Sequence, residues 1–228
     1  MPRATPEAAV LPHALYRAAQ VRVLDRTAIE VFGIPGIELM NRAGAAAFGL
    51  LRARWPDVRQ LDVLTGLGNN GGDGYVIARL AREAGLASRV LQLGDPARVA
   101  GDAALALSAY RASGSELEPF VRLPKRPGVI VDALFGTGLD RVVSGPWAAA
   151  IAAVNTSGAP VLAIDLPSGL QADTGAVLGC AVRADATISF IGLKQGLFTG
   201  AGPDYCGAIH FNALGVPGRV YAGEIAAA

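Results

Sequence analysis

The chain has 228 residues, 52% of them hydrophobic and 29 of them glycine, with a formal net charge of +1. That length suits one well-buried α/β core, and arginines scattered among acids speak against a nucleic-acid surface. Cys180 and Cys206 show neither metal-ligand spacing nor a disulfide framework, so buried thiols in a reducing compartment are expected.

Residues 1–13, with prolines at 2, 6 and 12, read as a flexible arm without the apolar stretch of a secretory signal. No run approaches the ~20 apolar residues of a membrane helix, so no membrane partner and a cytoplasmic location are expected. Leu15, Ala18, Val21, Leu24, Ala28 and Val31 then recur at helical spacing, and Gly33 is placed to end that helix. A second helix follows Pro35-Gly36, with Leu39, Met40, Ala43, Ala47, Leu50 and Leu51 on one side and Trp55-Pro56 as its stop. Together these helices carry more apolar surface than a simple cover needs, which points to a homodimer.

From residue 61 strands and helices alternate. Strand-like runs lie at 61–65, 89–93, 128–132, 160–165 and 185–191, with a short one at 208–211. Helical runs lie near 74–84, 98–112 and 146–154. Val129-Ile130-Val131 and Val161-Leu162-Ala163-Ile164 are apolar without alternation, as in strands covered on both faces. The expected architecture is therefore α/β: a doubly wound, mostly parallel sheet with helices on both faces and an N-terminal helical extension, in three αβα layers. It forms a single domain, with its core at 14–215 and a tail or the start of a linker at 216–228.

Gly66-Leu67-Gly68-Asn69-Asn70-Gly71-Gly72-Asp73-Gly74, between the first strand and the helix from Tyr75, reads as a bare turn that brings backbone N–H groups to a phosphate. Two buried strands end on acids. Asp132 opens Ala133-Leu134-Phe135-Gly136-Thr137-Gly138-Leu139-Asp140-Arg141, and Asp165 opens Leu166-Pro167-Ser168-Gly169. Taken singly, Asp132, Asp165 and Ser168 read as turn caps, and Gly136 and Gly138 as suppliers of positive φ. Three such loops at one sheet edge make a site, because ligands of open parallel sheets bind beyond the carboxyl ends of the strands. Lys194 falls near the same edge and divides evenly between a solvated lysine and a ligand contact. His13 and His210 have no partner motif, so Ser-His-Asp catalysis is not expected. Gly66-x-Gly68-x-x-Gly71 matches a dinucleotide fingerprint, which keeps an NAD(P)-dependent oxidoreductase as an alternative. Against it, the second strand ends at Leu93-Gly94-Asp95, late for a ribose-binding acid, and Asp73 would repel a pyrophosphate.

Several of these segments, in this order, resemble the NAD(P)H-hydrate epimerases, the family built on the YjeF N-terminal domain. They are Gly68-Asn69-Asn70-Gly71-Gly72-Asp73-Gly74, Val131-Asp132-Ala133-Leu134-Phe135-Gly136-Thr137-Gly138-Leu139 and Ile164-Asp165-Leu166-Pro167-Ser168-Gly169. Met40-Asn41-Arg42-Ala43-Gly44 and Lys194-Gln195-Gly196-Leu197 resemble the family's opening and closing segments. The resemblance implies a Rossmann-like fold and epimerisation at C6 of hydrated NADH or NADPH (NADHX, NADPHX), a metabolite-repair reaction. It implies a potassium ion held by groups matching Asn70, Asp132 and Ser168. Substrate contacts would fall on Asn69, Asn70, Gly71, Gly72 and Asp73, on Gly136, Thr137, Gly138, Leu139, Asp140, Arg141 and Val142, and on Asp165. It also implies a dehydratase partner that is ADP-dependent, either fused or separate. A scaffold role, known for related domains, is the other alternative, and the intact carboxylates Asp73, Asp132 and Asp165 weigh against it.

The substrate that the resemblance implies is a hemiaminal, with a hydroxyl on C6 beside ring nitrogen N1. Loss of that hydroxyl as water gives a planar iminium, and water returning to the other face inverts the centre. Such a reaction needs an acid/base and a negative field for the cation. Asp165 is the expected catalytic residue for both, with Asp73 in reserve.

Overall fold

The structure, a computed structural model, describes residues 14–223, so the arm at 1–13 and the last five residues of the tail lie outside the described residues. In chain order the elements are β1 (Leu15–Tyr16), α1 (Ala18–Glu30), α2 (Gly36–Arg54), β2 (Gln60–Thr65), α3 (Asn69–Glu83), β3 (Ala87–Gln92), α4 (Gly101–Ala112) and β4 (Leu117–Pro119). They continue as β5 (Val129–Ala133), α5 (Gly145–Thr156), β6 (Val161–Ile164), β7 (Ala186–Phe190), β8 (Leu193–Lys194), α6 (Gly202–Tyr205) and β9 (Ala208–Asn212).

Seven strands form one sheet in the order β4-β3-β2-β5-β6-β7-β9, and each neighbouring pair is parallel. The central strands β5 and β6 are buried at every position, as their unbroken apolar runs require. On one face Val63, Val131 and Leu162 pack with residues of α1, α2, α3 and α4, among them Leu24, Leu51, Ile77 and Leu107. On the other, Leu64, Ile130 and Val161 pack with Ala150, Ile151 and Val154 of α5. The expected three layers are present, with most of the helical mass on one side. No helix among the described residues is long and apolar enough to cross a membrane.

Chain reversals explain the helix ends. Gly33 takes φ +69° and lets the Ile34 N–H reach the Ala28 carbonyl at 3.1 Å, which closes α1. Sequence periodicity misses the two-residue strands β1 and β8. They pair only with each other, Leu15 to Leu193 and Tyr16 to Lys194, and so tie the start of α1 to the segment carrying Lys194.

The largest departure from expectation is at residues 69–74. They form the first turns of α3 rather than a loop, with Gly68 as the N-cap. Glycine is a poor helix former, but here tertiary packing requires it. A Cβ on Gly72 would stand 2.5 Å from the Met40 sulfur, and one on Gly44 would stand 2.4 Å from Val76 Cγ1. Those paired absences let α2 and α3 approach. A Cβ on Gly74 would stand 2.8 Å from Thr65 and 2.9 Å from Ala133, so α3 lies directly on the sheet. Gly74→Ala is therefore expected to lower the unfolding free energy by about 1–3 kcal/mol. Gly49→Ala, mid-helix in α2 with nothing within 4 Å, is expected to raise it by about 0.5–1 kcal/mol. Urea denaturation of both variants checks the pair of signs.

Candidate active site

The strand order reverses between β2 and β5. The chain leaves β2 toward β3 on one side and leaves β5 toward β6 on the other, so their exit loops part at the carboxyl ends. A cavity of about 580 Å³ opens there. The cavity is lined by the strand-end loops and the start of α3, with Thr137, Asp165 and Asn69, and by helices α1 and α2, with Val21, Asp25 and Met40. Phe135 and Trp147, with ring centroids 4.7 Å apart, add an aromatic surface.

Of the residues expected to contact substrate, Asn69, Asn70, Asp73, Gly136, Thr137, Gly138, Leu139, Arg141 and Asp165 line this cavity. Gly71 and Gly72 do not. Gly71 lies against the Gly66 carbonyl, where a Cβ would come within 2.4 Å, and Gly72 packs on Met40. Asp140 and Val142 are exposed and stand outside the lining. Of the glycines in 66–74, only Gly68 borders the cavity, which departs from the bare-backbone reading.

At the edge of the cavity Asn70 and Ser168 meet at the backbone of Phe135, and Asp132 is held behind them by Ser168. Asn70 Nδ2 donates to the Phe135 carbonyl at 2.8 Å, and the Phe135 N–H donates to Ser168 Oγ at 2.9 Å. Ser168 in turn donates from its N–H to Asp132 Oδ2 at 2.8 Å and from Oγ to Asp132 Oδ1 at 2.6 Å. Asp132 is completely buried, and burial pushes its carboxyl up to about 6 against the pull of these Ser168 bonds. No cationic side chain is bonded to it among the described residues. Asn70 Oδ1 is buried without a hydrogen-bond partner. An orphaned amide oxygen, a buried carboxylate, a hydroxyl and a carbonyl are the donor chemistry of a hard cation, so these residues fit potassium.

Asp165 follows β6 with φ +71°, and its N–H is held by the Ile188 carbonyl at 2.8 Å. Ile191 and Leu214 are the other non-glycine residues with positive φ among those described, and all three border the cavity. Left-handed backbone at such residues is strained and collects at functional sites. Lys194 is 1% exposed and forms an ion pair with Asp165 Oδ1, and its Nζ also donates to the Phe190 carbonyl at 2.9 Å. Lys194 is thus not the solvated lysine of the sequence alternatives: it is a buried partner of Asp165 that also borders the cavity. Lys194→Met would strand a largely buried carboxylate. It is expected to cost about 3 kcal/mol in urea unfolding.

Asp73 and Asp25 complete the cluster. Burial, followed by the charges of Asp165 and Asp25, pushes the Asp73 carboxyl well above the usual carboxylate range, with Lys194 opposing. Burial raises Asp25 to about 6, where Lys194 pulls down and Asp165 pushes up. Asp25 is absent from the sequence-based site. It sits between the buried Leu24 and Ala28 faces of an ordinary amphipathic helix, and long-range contacts, the β1–β8 pairing and the Ala18–Asp173 bond among them, hold that helix over the strand ends.

Fold and site together define a Rossmann-like α/β domain with an open crevice at its switch point. The family model described as YjeF-related protein N-terminus matches residues 36–196, and the chain belongs to that family. It is 47% identical over 89% of its length to the bifunctional NAD(P)H-hydrate repair enzyme Nnr of Coxiella burnetii and 43% identical over 90% to that of Escherichia coli. It spans only 41% and 40% of those two proteins. To the NAD(P)H-hydrate epimerase of Limosilactobacillus fermentum it is 40% identical, covering 84% of this chain and 92% of that one. Its fold is similar to the crystal structure of yeast ynu0, YNL200c, with a TM-score of 0.78, 17% identity and 92% of each chain covered.

Proposed function

We propose that this chain interconverts the R and S epimers of hydrated NADH and NADPH at C6 of the nicotinamide ring. The observation that carries the reading is the meeting of Asp73, Asp165 and Lys194 in a cavity at the switch point of a dinucleotide-binding fold. Kinship with stand-alone and bifunctional hydrate-repair proteins supports it.

In this reading the ring lies in the cavity beside Phe135 and Trp147, with C6 near Asp165. Protonation of the C6 hydroxyl breaks the C6–O bond and releases water, and the lone pair of N1 stabilises the resulting iminium. Asp165, oriented by Lys194, serves as acid/base, and its negative field lies next to the developing cation. Asp73, its carboxyl pushed well above the usual carboxylate range by burial and neighbouring carboxylates, is the reserve candidate for the same role. Rehydration of the other face completes the inversion with no net redox change. Asn70, Asp132 and Ser168 would hold potassium, which supplies positive charge that binds the three strand-end loops together. An ADP-dependent dehydratase acting on one epimer is the proposed partner. Chiral chromatography of one purified epimer, incubated with the protein in potassium buffer, tests the reading: formation of the other epimer well above a protein-free blank is expected.

A further inference from the structure

Inversion at C6 requires chemistry on both faces of one ring. The hydroxyl leaves from one face with a proton, and a water adds to the opposite face and gives a proton up. Side chains on a single wall of a cavity reach only one face of a planar ring held in it. Asp165 comes from the strand-end wall. Asp25 comes from α1, on the wall built by the N-terminal helices.

The position of Asp25 is tightly fixed. Leu24 is fully buried and Ala28 likewise, so α1 has one rotational setting. The Ala18 N–H is held by Asp173 Oδ1 at 2.6 Å, and Tyr16 pairs with Lys194 across the β1–β8 ladder. Asp25 is thereby placed in the electrostatic neighbourhood of Lys194, Asp165, Asp73 and Tyr221. Tyr221 is not free to act, because its hydroxyl donates to the Ile191 carbonyl at 2.8 Å and is pushed up to about 12. Asp25 is only partly buried and borders the cavity, as a residue that meets substrate must.

We infer that Asp25 is a second proton-transfer residue, serving the face of the nicotinamide ring turned away from Asp165. The inference rests on the epimerase reading. In one direction Asp165 gives the proton that leaves with the C6 hydroxyl as water, and Asp25 takes a proton from the water that adds to the other face. The C6–O bond broken on one face is replaced by one on the other, and one proton has moved from Asp165 to Asp25. The reverse reaction runs the same steps backward.

Oxygen exchange in H2-18O separates the two faces. Asp25→Asn is expected to slow inversion by at least 100-fold. For the epimer whose hydroxyl faces Asp165, it should still incorporate 18O at C6 with retained configuration within about fivefold of the wild-type exchange rate. Asp25→Glu, which restores a carboxylate, is expected to recover inversion at least tenfold over Asp25→Asn. Inversion by Asp25→Asn within threefold of wild type would overturn the assignment. So would loss of exchange for both epimers together with inversion, since Asp25 would then act on the shared step or on the fold. A wild-type protein that neither inverts nor exchanges either epimer would overturn the epimerase reading itself.

Discussion

Asp165→Asn is expected to lower kcat for epimerisation by about 10²–10⁴ while the chain remains folded, with stopped chiral assays and circular dichroism as the two readouts. The amide keeps the size of the carboxylate, and asparagine tolerates the left-handed φ of +71° at this position. In the proposed mechanism the change removes a proton-transfer group and the negative charge beside the iminium. Lys194, 1% exposed, loses its counter-charge, which costs on the order of 3 kcal/mol. It keeps its bonds to Ser189 Oγ and the Phe190 carbonyl, so the native state stays populated. Turnover within tenfold of wild type would remove Asp165 from the mechanism.

The second large effect concerns Asp132. Potassium at about 100 times its Kd should stabilise the wild type by about 2.7 kcal/mol and raise Tm by roughly 5–10 °C over the same ionic strength of choline. In Asp132→Asn that increment should vanish. The variant also turns an amide NH2 toward either the N–H or the hydroxyl of Ser168, both of which now donate to Asp132, and so lowers Tm in choline as well. The informative quantity is therefore the potassium increment within each protein, read by differential scanning fluorimetry. A Tm increment of several degrees in Asp132→Asn would take potassium away from this cluster.

Much of this layout is legible in the residues. Val129-Ile130-Val131 and Val161-Leu162-Ala163-Ile164 announce buried parallel strands, and the acids that end them fall on the crevice, because a strand's last residue sits where its loop begins. The observed β2 at 60–65 and α5 at 145–156 lie within two residues of the sequence spans. Other parts depend on contacts made far along the chain. The glycines of 71–74 look like a phosphate loop, yet Met40, Thr65 and Ala133 are what exclude a side chain at Gly72 and Gly74. Lys194 has no local mark of burial, since Asp165 lies 29 residues away in sequence. Asp25 is a polar residue on a helix with a strong apolar face, and nothing local distinguishes it from a solvated one. The β1–β8 ladder that helps hold its helix at the site is two residues long, too short for any periodicity.

Epimerisation at C6 is the proposed reaction on which these residue roles depend. Purified R epimer of hydrated NADH, incubated with the wild-type chain in potassium buffer and resolved by chiral chromatography, should approach the R/S equilibrium mixture within minutes with no change of redox state. An R epimer that persists at the rate of the protein-free control would contradict it.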